Sequence, residues 1–113
     1  MHERKVILTW EAIYDIAEIA DYIESKFGRI RADRFQSDIK MQIKNLEYIG
    51  GIFGMTCILY RNHTIYKKPF LPSLIFYIVK EPENEIHVLR ILREECDWEN
   101  VLIQSQEYTY LEY

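Results

Sequence analysis

The spacing of apolar residues changes period twice along the chain. Val6-Ile7-Leu8 is a short apolar run behind the charged lead-in Met1-His2-Glu3-Arg4-Lys5. It is too short for a helix and has the composition a strand favours. From Trp10 the period lengthens. Ile13, Ile16, Ala17, Ala20, Ile23 and Phe27 fall three or four apart and share one helical stripe. Thr9 stands where an N-cap belongs, and Gly28 stands where a left-handed residue would end the helix. A second stripe of Ala32, Phe35, Ile39, Ile43 and Leu46 predicts a helix from about Arg29 to Ile49, closed by Gly50-Gly51. The two helices read as an antiparallel hairpin.

Beyond Phe53 the composition is that of a sheet. Met55 to Tyr60 and Thr64 to Phe70 are strand-prone, and Arg61-Asn62-His63 breaks them as a turn. Pro69 and Pro72 argue against a central strand there, because proline donates nothing to a ladder. Leu74-Ile75-Phe76-Tyr77-Ile78-Val79 is a continuous apolar run, expected to be buried on both faces in mid-sheet. Residues 80 to 85 form a loop. The return strand from Ile86 to Leu92 should carry Ile86, Val88 and Leu92 with Arg90 on one face, and His87, Leu89, Ile91 and Arg93 on the other. The order β, α, α, then consecutive antiparallel strands defines an α+β fold: an N-terminal strand and a two-helix hairpin packed on an antiparallel sheet of about four strands.

A length of 113 residues suits one domain over 1–113, with 99–113 as a C-terminal tail containing Tyr108, Tyr110 and Tyr113. Apolar residues at 49% and charged residues at 28% describe a packed globule and exclude intrinsic disorder. The net charge of −4 gives no overall attraction to phosphate, so any nucleic-acid contact must be local. Cys57 and Cys96 stand far apart without a CxxC, as suits reduced thiols. The N-terminus lacks the apolar core of a signal peptide, and no stretch is long enough to span a bilayer. A soluble, cytoplasmic protein with no membrane partner is expected.

Charge is sorted along the chain. Glu11, Asp15, Glu18, Asp21 and Glu24 form an acidic ridge on the first helix, whereas Arg29, Arg31, Arg34, Lys40 and Lys44 bias the second towards positive. These are solvated, mutually paired faces on one reading and a partner groove on the other. Residues 61 to 80 carry Arg61, Lys67, Lys68 and Lys80 without a carboxylate, while 81 to 113 carry nine carboxylates against Arg90 and Arg93. The basic stretch is either a contact surface or a counterweight to the acidic tail. Arg90 interrupts an apolar strand and must be paired or face a cleft. Trp98 either covers the core and pins the tail or anchors a partner.

The element order joins several local strings: Trp10 through Tyr22, Ala32-x-x-Phe35, Leu74-Ile75-Phe76-Tyr77, and Ile86 through Leu92 followed by Asp97-Trp98. Together, over about residues 4 to 98, they resemble the RelE/ParE family of bacterial toxins from type II toxin–antitoxin systems. The long hairpin is closer to the ParE branch. The resemblance implies a growth-inhibiting toxin neutralised by a cognate antitoxin. It also implies one of two targets: DNA gyrase for ParE-like members, or ribosome-bound mRNA for RelE-like endoribonucleases. A toxin-like fold serving only as an inactive binding module is the third reading.

Metal-independent RNA cleavage needs a base, an acid and cations around the phosphorane. On the RelE pattern the resemblance places Leu74 where a central-strand arginine usually stands, and Arg93-Glu94 where a cationic pair is usual. It therefore favours a protein-binding toxin. The catalytic residues are left unknown, and whether the chain is an enzyme is left open. No metal-ligand spacing, P-loop, GxGxxG or GxSxG occurs, so no metal and no cofactor is expected. The candidates for target binding are Arg61, His63, Lys67, Lys68, Arg90, Arg93 and Trp98.

Overall fold

The computed structural model describes residues 4–49, 53–105 and 107–110. Gly50-Gly51, the lead-in residues before Arg4 and Tyr113 lie outside them. β1 (Lys5–Leu8) leads into α1 (Trp10–Phe27), α2 (Arg29–Lys44) and a single turn, α3 (Leu46–Ile49). Four strands follow, β2 (Gly54–Tyr60), β3 (His63–Phe70), β4 (Ser73–Lys80) and β5 (Glu85–Arg93), and then a short helix, α4 (Trp98–Gln104). One five-stranded sheet runs β1-β5-β4-β3-β2. The expected antiparallel strands are β2 to β5, and β1 adds a fifth in parallel with β5.

Thr9 joins helix to sheet. Its hydroxyl accepts from the Ala12 N–H at 3.0 Å, capping α1, and donates to the Leu89 carbonyl at 2.7 Å. Its own N–H donates to the Val88 carbonyl at 3.1 Å. Gly28, with φ +96°, ends α1 in a conformation that side chains resist, and its N–H reaches the Glu24 carbonyl. The second helix is shorter than its stripe predicts. It stops at Lys44 with Asn45 as its C-cap, and Leu46 opens α3, although Ala32, Ile39, Ile43 and Leu46 are all buried as the stripe requires.

The hairpin covers one face of the sheet, where Ile75, Tyr77, Ile86, Val88 and Ile91 meet Ala12, Ile39 and Ile43. Leu74, Phe76, Ile78 and Leu89 point the other way and are covered by Leu102 of α4 and by Tyr108. β4 is therefore buried on both faces, as its unbroken apolar run predicts.

Two expectations for the strands need correction. A bulge sets Phe76 opposite Arg90 but Tyr77 opposite Val88, so Leu89 is an extra residue in β5. Alternation shifts by one there, which puts Ile91 with Ile86 and Val88, and Leu92 with Leu89. The second concerns Pro69, which lies within β3 between two other strands. It is tolerated because β2 pairs with β3 only as far as Lys67, leaving the strand one-sided at Pro69.

Candidate target-contact surface

Arg90 sits where β1 has already ended. Parallel pairing stops at Leu8 and Val88, so the outer edge of β5 beyond that point must find other partners. Asp15 supplies them from α1. Its carboxylate accepts from Arg90 Nε at 2.7 Å, from a terminal guanidinium nitrogen at 2.9 Å, and from the Ile91 N–H at 3.0 Å. Burial pushes the Asp15 carboxyl above the usual carboxylate range, against the pull of those three bonds. The bond to Asp15 drives the Arg90 guanidinium further up. Arg90 is thus the paired arginine of the two alternatives. Asp15, placed by sequence on a solvated ridge, is buried. It lies three residues after Ala12 and four before Ile19, on the face α1 buries, and this corrects the stripe expected from the sequence, of which Ala17 and Phe27 are exposed.

Lys67 and Lys68 are consecutive on a strand and must point to opposite faces. Lys68 is buried on the hairpin side, where Nζ donates to the Gln42 carbonyl at 3.0 Å and lies 5.3 Å from the Phe53 ring centroid. Gln42 is in the last turn of α2, so the ammonium meets a carbonyl the helix leaves free. Burial pushes the Lys68 ammonium below its ordinary range. Lys67 lies on the far face, 4.9 Å from the Trp98 ring centroid, and Trp98 packs on Phe76 at 5.1 Å. Arg61 occupies the β2–β3 turn with φ +48°, its guanidinium over the Tyr60 ring. His63 Nδ1 is 3.0 Å from the Arg61 carbonyl oxygen.

The basic stretch therefore does not form one patch. Lys67 and Trp98 share the far face, Arg61 and His63 share a turn at its rim, and Lys68 and Arg90 are engaged inside the fold. Arg93 points to the hairpin side, ion-paired with Glu95 and stacked on Tyr22. There it lines a cleft with Arg31 and Arg34, which the sequence suggests only as a positive bias on the second helix.

The far face carries a strap. After α4, the Tyr108 ring packs edge-on against Tyr60 at 4.9 Å, and Tyr110 bridges to Thr9. The Tyr110 hydroxyl lies 2.9 Å from His87 Nδ1, whose Nε2 lies 2.9 Å from Glu85. Burial, with Tyr60 nearby, pushes the Tyr110 phenol up to about 12, far from a useful acid at neutral pH. Cys57 and Cys96 are free thiols. Among the described residues no group of His, Cys, Asp and Glu could hold a metal ion, and no helix is long and apolar enough to cross a membrane.

A helical hairpin on one face of a five-stranded sheet and a strap on the other define a small α+β protein. The description "ParE toxin of type II toxin-antitoxin system, parDE" matches residues 6–98, and the chain belongs to that family. Among solved structures it is similar to one titled as the chromosomal ParDE toxin–antitoxin system from P. aeruginosa. Identity is 24%, with 82% of this chain and 98% of that chain covered and a TM-score of 0.65. At that identity the likeness speaks to the fold. No curated protein matches.

Proposed function

We propose that the chain acts as a toxin by binding a protein target, DNA gyrase being the one the family resemblance implies, and that a cognate antitoxin neutralises it. The observation that supports binding over RNA cleavage is the dispersal of Arg90, Lys68 and Lys67. Arg90 is committed to Asp15, Lys68 to the Gln42 carbonyl, and Lys67 lies on the face opposite Lys68. A ribonuclease needs such groups converging on one phosphate, and each missing contact costs on the order of 10²-fold in rate. Surface cations and aromatics such as Lys67 with Trp98 suit a protein partner instead.

The test compares purified chain in a gyrase supercoiling assay and in a translation extract that reports mRNA cleavage, with growth followed in cells with and without the neighbouring open reading frame. Gyrase inhibition without mRNA cleavage, with growth restored by the neighbouring gene, is expected. Cleavage of ribosome-bound mRNA would establish the ribonuclease reading instead, and inertness in every assay would establish the inactive module.

A further inference from the structure

The cleft that holds Arg93 lies between the closed end of the hairpin and the β3–β4 turn, and encloses about 520 Å³. Its floor is aromatic, with Phe35 and Phe70 at 6.3 Å between ring centroids. Arg31, Arg34 and Arg93 stand around it, with Asp38 the one carboxylate in the lining. Arg31 stacks on Phe27 at 4.6 Å and Arg93 on Tyr22 at 4.5 Å. Arg93 already holds Glu95 by a terminal nitrogen, whereas Arg31, stacked by its face, keeps its edge N–H groups available to an incoming carboxylate. Neither Arg31 nor Arg34 is ion-paired among the described residues.

The walls are also exposed, with Phe27 55% and Leu71 65% accessible. A site for a small anion would not need open apolar walls. Aromatic rings interleaved with arginines are the composition that dominates the energetics of protein interfaces. In a chain of net charge −4 this local excess of positive charge selects an acidic occupant.

We infer that this cleft is a second grip on the target, on the side of the sheet opposite Lys67 and Trp98, and that its occupant is an acidic protein segment presenting an aliphatic or aromatic side chain between its carboxylates. The assignment to the target rests on the function proposed above; the chemistry of the cleft does not.

The experiment uses Arg31→Glu with Arg34→Glu, two exposed helix positions, after a thermal melt has shown the fold intact. The probe is a fluorescein-labelled peptide of glutamates around a central leucine and tryptophan, read by anisotropy at low and high salt. Wild type should bind it, with affinity falling at least 10-fold in the double variant and in high salt, and unchanged in Lys5→Glu on β1. Growth arrest should fall with peptide affinity, while antitoxin affinity changes less than about 3-fold. Equal peptide binding by wild type and double variant overturns the inference, whether or not the chain proves toxic. Displacement of the peptide by millimolar inorganic phosphate would make the cleft a phosphate site. Antitoxin affinity falling in step with toxicity would make the occupant the antitoxin. Either result overturns the assignment. If wild type arrests no growth, the proposed function fails and the peptide measurement still decides the chemistry of the cleft.

Discussion

Asp15→Ala should be among the more damaging single substitutions outside the apolar core. It removes the acceptor of three hydrogen bonds at 2.7, 2.9 and 3.0 Å, and leaves Arg90 charged and the Ile91 N–H without its carboxylate. Breaking a buried ion pair from one side costs about 3–5 kcal/mol. The Arg90 side chain keeps 20% of its surface accessible, so water can recover part of the loss, and about 3 kcal/mol is expected. At roughly 4 °C per kcal/mol for a domain of this size, the melting temperature should fall by about 12 °C. The pair itself is worth far less than either half, because burial already works against the Asp15 carboxylate. Asp15→Leu with Arg90→Met should therefore recover about half of that loss, the remainder of about 1–2 kcal/mol being the Ile91 N–H left without an acceptor. Urea unfolding at pH 7 of wild type, Asp15→Leu, Arg90→Met and the double variant, followed by circular dichroism, gives the four corners of the cycle, with an unchanged slope as the check on two-state behaviour. A loss below about 1 kcal/mol for Asp15→Ala, or additivity of the two single variants, would refute the reasoning.

Further outcomes follow from other contacts. Tyr110 should ionise well above an ordinary tyrosine, with a phenol at about 12. Its folded value lies above the unfolded one near 10, so it contributes stability that is present below pH 10 and lost as pH rises towards 12. Ultraviolet titration of wild type against Tyr110→Phe isolates that step. Lys68→Met should change stability by about 1–2 kcal/mol through the lost contact with the Gln42 carbonyl while target affinity holds. Lys67→Ala should do the reverse, and a pull-down paired with a melt separates them. Gly28→Ala meets no atom within 4 Å, so its whole cost, about 1 kcal/mol in a urea titration, comes from the backbone at φ +96°.

Local periodicity alone determined much of this protein. The stripe from Arg29, Thr9 as cap, Gly28 as stop and the doubly buried 74–79 run are short-range consequences of side-chain spacing, and the structure keeps each of them, whereas the first helix turns its buried face to Ala12 and Asp15 and leaves Ala17 and Phe27 exposed. That Lys67 and Lys68 face opposite ways was equally legible, since strand alternation requires it. The exchange of Ile91 for Leu92 between faces was not, because the extra Leu89 in β5 is set by pairing with a neighbouring strand. The partner of Arg90 was half legible: a charge among apolar residues announces a need, but Asp15 meets it only because β1 stops at Leu8 and brings α1 over the open edge of β5. The cleft belongs wholly to tertiary structure. Arg31 and Arg34 come from the second helix and Arg93 from the end of the last strand. Only the packing of the hairpin on the sheet brings those three guanidiniums around one aromatic floor.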